Sequence, residues 1–371
     1  MWRNSRIRSN STKKLDEVTV VGPIGPYRGG IALHTDQLVQ ELRKSELNVN
    51  VESWAHQYPP ILFKGFRPRR SDRVELPSIN FRLSWWNPVS WVGAGLRNRG
   101  RKFILVGVTP FQYPIFLCVL AFGSALFTRR SVLVAHNVTP HETSIFDRAL
   151  TSLFFKCVGT VLTHSEPERT MACRYRGEAR LAKLPYHGPR WDAGLPPFRR
   201  TNRILFLGYV RDYKGLDLLI EALSKSEEMP ALVVAGEFWQ PVSKFRELAE
   251  KHRVAERVEF RPGFVDETDL LELLDQVDLL VLPYKSATAT QLPALARTRK
   301  TPTIVTPVGE LANSVEHMKN GIVASHVTAD AIAQAISSAY NSDRLKSLSD
   351  NCLPPDESLE WNLYMQALLK E

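Results

Sequence analysis

Several features that would announce a function are scarce or missing. The 371-residue chain has only four cysteines, Cys118, Cys157, Cys173 and Cys352. None forms a Cys-x-x-Cys pair, so neither a zinc centre nor a disulfide framework is indicated. Four thiols in a reducing compartment are expected instead. There is no Gly-x-Gly-x-x-Gly fingerprint and no Walker motif. Gly-x-Ser-x-Gly is absent, and no nucleophile stands beside an evident base. Asp-x-Asp is also absent, so a carboxylate-bound divalent ion at a diphosphate is not signalled. No interleaved basic and aromatic motif or Cys/His finger is seen, which argues against a nucleic-acid partner. The first 15 residues are basic and polar without the apolar stretch of a secretory leader; they read as a tail.

With 44% hydrophobic and 23% charged residues, the chain can build two ordinary domains, and a disordered or fibrous protein is excluded. Charge is unevenly spread. Up to Leu195 there are 28 Lys+Arg against 14 Asp+Glu; the remainder has 20 against 25. A basic half beside an acidic half fits an anionic lipid surface or a phosphorylated substrate, or simply a surplus of surface arginine.

Short apolar runs alternate with helical spacing. In the first half, strands are expected at Val18–Gly22, Phe103–Val108, Val132–His136 and Val158–His164, with a helix over Ile31–Lys44. Residues 189–201 are rich in Pro and Gly without a period and read as a linker. A second alternation runs from Ile204 to Tyr340. An amphipathic helix follows at Glu357–Lys370, after Pro354-Pro355. The expected domains are therefore 16–188, 202–345 and a tail at 346–371 that packs back on the first domain. Both are α/β domains with doubly wound parallel sheets. Phe103–Phe127 carries no charge over 25 residues, enough to span a bilayer by count. Its prolines and strand-like start favour a strand plus a buried or surface-docking helix.

Ligands of such sheets bind beyond the carboxyl ends of the strands. Four segments fall there. Gly25-Pro-Tyr-Arg-Gly-Gly30 offers close backbone approach and a helix N-terminus to a phosphate, or is a tight turn. His136 follows an apolar strand, where a histidine can donate to a sugar hydroxyl or serve structurally; His141 and Glu142 come next. His136 and His141, five residues apart on a loop, give no metal-ligand geometry. Arg211 and Lys214, in Gly208-Tyr-Val-Arg-Asp-Tyr-Lys-Gly215, are spaced to clamp a diphosphate, with Asp212 offsetting part of the charge. Ser286-Ala-Thr-Ala-Thr-Gln291 can present hydroxyls and N–H groups to an anion, or can cap a helix.

Together these stretches resemble glycosyltransferase family four, retaining enzymes of GT-B fold. Ile204–Ala222 carries the resemblance most specifically, followed by Val-Glu-Phe-Arg-Pro-Gly-Phe-Val (258–265), Asp-Leu-Leu-Val-Leu-Pro-Tyr (278–284) and Pro-Thr-Ile-Val-Thr-Pro-Val-Gly (302–309). Arg-Gly-Gly-Ile and His-Asn-Val-Thr-Pro-His-Glu are similar to a bacterial polysaccharide-assembly branch. The resemblance implies two Rossmann-like domains facing a cleft and a hexosyl donor bound as a nucleotide-sugar. It implies a saccharide or lipid-linked acceptor, and neither cofactor nor metal. By position, Gly29 and Gly30 would face the donor diphosphate, His136 the donor sugar, Lys214 the phosphates and the Phe264 backbone the base. Arg28, His141 and Glu142 would lie on the acceptor side. The basic first half implies a cytoplasmic protein docked on the inner face of the cell membrane.

Three departures stand out. Tyr209 sits where the family has arginine, and Arg211 is the candidate substitute. Ala287 and Leu295 stand near the places of the family's paired glutamates. Gln291 replaces a glycine, so donor binding would be rebuilt around Thr288 and Thr290. A non-catalytic GT-B partner protein is the alternative, and a GT-B epimerase a third reading.

Overall fold

The computed structural model describes residues 17–27, 29–59, 78–138, 145–188, 194–195, 198–287, 290–341 and 343–370. The expected basic tail and most of the expected linker lie outside them. The chain forms two compact units, Met1–Leu181 with Met365–Glu371, and Ala182–Tyr364.

The first unit runs β1 (Glu17–Val21), α1 (Gly30–Lys44), β2 (Asn48–His56), β3 (Ile79–Ser84), α2 (Pro88–Arg97), β4 (Lys102–Val106) and α3 (Tyr113–Phe122). It continues through β5 (Ser131–Ala135), α4 (Ile145–Cys157), β6 (Thr160–Thr163), α5 (Glu166–Arg176) and β7 (Arg180–Leu181). All strands are parallel, in the order β3-β2-β1-β4-β5-β6-β7. The central strands are mostly apolar because helices cover both faces: Val20, Ile104, Leu105 and Val134 are fully buried. The chain leaves β3 at one edge and returns beside β1 as β4. That reversal creates a crevice at the carboxyl ends of β1 and β4.

The second unit contains β8 (Arg203–Leu207), α6 (Leu216–Leu223), β9 (Ala231–Gly236), α7 (Val242–Lys251), β10 (Val258–Pro262), α8 (Glu267–Asp275) and β11 (Leu279–Leu282). Then come α9 (Leu292–Thr298), β12 (Thr303–Val305), β13 (Gly321–Val323), α10 (Ala329–Ala339), α11 (Arg344–Asp350) and α12 (Glu357–Leu369), whose end from Met365 on is assigned to the first unit. Its parallel sheet has the order β10-β9-β8-β11-β12-β13, so the reversal falls between β8 and β11.

The alternation read from the sequence holds, with corrections. Strands β2, β3, β7 and β13 were not anticipated. β2 mixes polar with apolar residues because its buried Glu52 is paired with Arg97 at 2.8 Å and accepts from Asn98 at 2.9 Å. β7 and β13 span two and three residues, too short for a period to register. The charge-free stretch from Phe103 resolves into β4 and α3. Among the described residues no helix is long and apolar enough to cross a membrane.

The chain passes between units at Leu181/Ala182, ahead of the expected linker. The reason is Tyr186, which is buried in the second unit's core and accepts a 2.8 Å hydrogen bond from Trp361 Nε1 at its carbonyl. Likewise α11 belongs to the second unit, with Leu345 and Leu348 in its core; only Met365–Glu371 joins the first. Helix α12 buries Trp361, Tyr364, Met365 and Leu368, the spacing of one helical face.

Candidate functional site

In the second unit the crevice is built by two loops. The first leaves β8 at Gly208. Gly208 has φ 106°, and Gly215 ends the turn with φ 70°. Between them Asp212–Lys214 forms a 3₁₀ turn, and Leu219 N–H donates to the Gly215 carbonyl as α6 begins. A side chain at Gly215 would meet the Pro283 carbonyl at 2.0 Å, so glycine is required where this loop crosses the second one.

This turn folds Lys214 inward. Its Nζ lies 5.1 Å from the Tyr284 ring centroid and would sit 3.1 Å from a Cβ on Gly208. Lys214 is 8% exposed. Burial, and then the nearby Arg211, pulls its ammonium pKa down to about 8. Arg211 itself stacks its guanidinium 3.6 Å from the Trp239 ring centroid, and its Nε is buried with no hydrogen-bond partner among the described residues. Two cations are thus held together at low solvent access. Asp212 does not offset them as the sequence suggests: it is exposed and faces Lys244 at 3.6 Å.

The second loop follows β11. Tyr284 is buried, which raises its phenol well above the ordinary value, and the Thr306 hydroxyl donates to its carbonyl at 2.5 Å. Lys285 N–H donates to the Tyr213 carbonyl at 2.7 Å, tying the two loops together. Gly309 has φ 49°, and a Cβ there would meet the Ala287 carbonyl at 1.9 Å. Thr290 Oγ1 accepts from Leu292 N–H at 3.4 Å. Thr288 lies outside the described residues. Gln291 has φ −89° and ψ −7°, an ordinary right-handed conformation, so glycine's freedom is not needed there. Leu295 is buried in the core beside Leu282 and Val305, so that position cannot offer a polar group to a ligand. Beyond β9 and β10, a pocket of about 270 Å³ is lined by Arg261, Gly263, Phe264, Asp269, Glu272 and Gln276.

In the first unit, the loop after β1 reaches α1 through Gly29, whose φ is 110°. A Cβ at either Gly29 or Gly30 would meet nothing within 4 Å, so the backbone is open to a ligand at the start of α1. The loop is fastened by Asp36, whose Oδ2 accepts from Gly25 N–H at 3.1 Å. Burial pushes the Asp36 carboxyl up to about 6, against the lowering effect of that hydrogen bond. His136 follows β5 half-buried. Its ring lies 4.9 Å from both His34 and His164, which are 6.0 Å from each other. Three imidazoles from α1 and from the ends of β5 and β6 therefore converge next to the Gly29–Gly30 loop. Arg28, His141 and Glu142 lie outside the described residues.

The structure groups the expected residues within two separate crevices: Arg211 and Lys214 in the second unit, Gly29, Gly30 and His136 in the first. Sequence reasoning missed Trp239, Tyr284, Asp36, His34 and His164. His34 and Asp36 were within reach: they stand four and six residues into α1 from Gly30, on its first two turns. Trp239 lies three residues past β9, without a pattern to mark it.

The family described as "Glycosyl transferases group 1" matches residues 189–352. D-inositol 3-phosphate glycosyltransferase of Mycobacterium marinum is 27% identical over 157 residues, 42% of this chain. That match spans a third of the curated relative's length, 33%. Among solved structures, Anabaena HepE in complex with UDP-glucose superposes with a TM-score of 0.68 at 14% identity, covering 94% of this chain and 95% of that one. WaaG, a glycosyltransferase involved in lipopolysaccharide biosynthesis, does so with a TM-score of 0.64 at 18% identity, covering 96% and 100%. The fold is that of GT-B glycosyltransferases, and residues 189–352 are similar to the group 1 glycosyltransferase family.

Proposed function

We propose that the chain transfers a hexosyl group from a nucleoside-diphosphate sugar to a saccharide acceptor, with retention at the anomeric carbon and without a metal. The observation that carries this reading is the buried Lys214 beside Arg211 at the β8/β11 reversal, within the residues similar to the group 1 family. Burying Lys214 beside a half-buried Arg211 is costly for a fold, and a bound diphosphate would offset the cost. As the bond to the sugar breaks, negative charge grows on the leaving diphosphate; Lys214 and Arg211 would stabilise it there. The amides at Gly29 and Gly30 would add further donors, and His136 would orient the sugar. Thr288 and Thr290 would supply hydroxyls to the donor, and the Phe264 backbone would meet the base. Arg28, His141 and Glu142 are assigned to the acceptor side. The leaving phosphate would help deprotonate the acceptor, so the protein's share is charge stabilisation and positioning.

The basic first half supports a lipid-linked acceptor and work at the inner face of a bacterial cell membrane, in surface polysaccharide assembly. The test is a donor screen that measures release of nucleoside diphosphate, with membrane extract supplying acceptors. Wild type should turn over one donor, and Lys214→Ala should not. A second reading, a non-catalytic GT-B partner, is favoured by Ala287 and the core-packed Leu295 where the resembled family has glutamates. Titration with UDP and GDP separates the two: absence of any nucleotide binding would remove the transferase reading.

A further inference from the structure

Helices α2 and α3 carry an outer surface that the catalytic reading does not use. The two lie side by side with little between them: a Cβ on Gly95 would come within 2.7 Å of Phe122 Cβ and of the Val119 carbonyl. Helix α3, Tyr-Pro-Ile-Phe-Leu-Cys-Val-Leu-Ala-Phe, is apolar all round. Its inner side buries Ile115, Phe116, Val119 and Leu120, while Pro114, Ala121 and Phe122 face out. A helix with no polar face is normally covered on both sides. In the segments flanking it, Trp86 is 59% exposed, Val89 77% and Phe127 69%, and Leu96 and Phe111 are exposed as well. The ridge runs along α3 for about 15 Å, from ten residues of helix.

The charge of this segment is one-sided. From residue 76 to residue 141 the sequence contains no Asp or Glu, yet it has seven cations: Arg82, Arg97, Arg99, Arg101, Lys102, Arg129 and Arg130. Arg97 and Arg101 face carboxylates from other strands, Glu52 and Glu17. Arg99, Arg129 and Arg130 are exposed and stand at the end of the ridge where α2 and α3 both finish. There Arg99 donates to Ser124 Oγ at 3.2 Å and Arg130 to the Gly100 carbonyl at 3.3 Å.

We infer that the α2–α3 surface is where the protein lies on an anionic bilayer, with Val89, Phe122 and Phe127 entering the headgroup region and Arg99, Arg129 and Arg130 on lipid phosphates. This rests on the membrane part of the proposed function and assigns it to a definite surface. Exposed aromatic and branched side chains supply apolar area for the interface. Clustered arginines add attraction to anionic lipid that salt screens. A soluble protein partner would need matching carboxylates across an apolar surface; an anionic bilayer presents both an apolar layer and uniform negative charge.

The experiment is cosedimentation of the full chain with phosphatidylcholine vesicles, with and without phosphatidylglycerol, at low and high salt. Two triple variants are compared: Arg99→Gln/Arg129→Gln/Arg130→Gln and Val89→Ser/Phe122→Ser/Phe127→Ser. A UDP titration of each checks that the variants are folded. Wild type should bind the anionic vesicles and be released by salt. The arginine variant should partition about 100-fold more weakly. The serine variant should lose the binding that survives salt. If wild type binds vesicles and neither variant differs from it, the assigned surface is wrong and the membrane reading survives. Equal binding to neutral vesicles, unaffected by salt, overturns the electrostatic part. Failure of wild type to bind any vesicle overturns both. Vesicle binding without UDP binding leaves this surface standing and removes the transferase.

Discussion

Lys214 should make nucleotide binding depend on pH in a window where few enzymes titrate. Its pKa in the free protein is about 8, lowered by burial and then by Arg211. A diphosphate placed against it would favour the charged form and return the pKa toward its ordinary value near 10.4. Binding above pH 8 must then take up a proton. The free protein is mostly charged at Lys214 at pH 7 and mostly neutral at pH 9, so the Kd for UDP should rise about tenfold between them. The terminal phosphate of UDP titrates near pH 6 and stays constant across this window. Isothermal titration at half-unit steps gives the profile. Repeating it in buffers of different ionisation enthalpy counts the proton. Lys214→Ala should bind weakly and lose the slope. The same shift acts on stability with a defined sign. The folded pKa is below the unfolded one, so between pH 8 and 10.5 the unfolded chain holds more protons and stability rises with pH. Near neutrality the buried ammonium costs up to about 3 kcal/mol. Lys214→Met should therefore raise Tm by several degrees at pH 7 while weakening UDP binding as Lys214→Ala does. A flat Kd profile from pH 7 to 9 in wild type would refute the placement of Lys214 at the diphosphate.

Three further outcomes are expected. Asp36 has a folded pKa of about 6 against 3.8, so its stabilisation is full below pH 4 and is lost as pH rises through 6. Asp36→Asn keeps an acceptor for Gly25, so the unfolding free energy from urea titration should match wild type at pH 4 and exceed it at pH 7, by at most about 3 kcal/mol. An unchanged difference between the two pH values would contradict this. Gly215→Ala forces a side chain against the Pro283 carbonyl at positive φ, and should cost at least about 1–2 kcal/mol in a thermal melt and weaken UDP as the Lys214 turn shifts. Trp239→Ala removes the surface beneath Arg211, so UDP affinity should fall by roughly three- to tenfold with little change in Tm; unchanged affinity would place Arg211 outside the binding site.

The alternation of strand and helix was legible because buried parallel strands must be apolar on both faces: Phe-Ile-Leu-Val in β4 and Leu-Leu-Val-Leu in β11 need no partner to be recognised. β2 was not legible, because its Glu52 reads as exposed until Arg97, forty-five residues on, is seen to pair with it.

The candidate site divides the same way. Arg211 and Lys214 stand out as candidates in the sequence because a strand, a glycine-bounded turn and a helix start lie within one short segment. Their environment was not found. Burial of Lys214 depends on Tyr284 from β11, and the stacking of Arg211 on Trp239 from the end of β9. The clustering of His34, His136 and His164 likewise joins three distant segments.

Few cysteines and no Asp-x-Asp or nucleophile motif are properties of single positions and short spacings, which the chain determines by itself. So are the two sheets, since hydrophobic period is local. Only the tertiary structure decided how each side chain is solvated: that Lys214 is a weakened base, that Leu295 is core, and that α3 keeps an apolar side uncovered. Solvation is set by atoms brought close from remote parts of the chain, and no local pattern records which ones they will be.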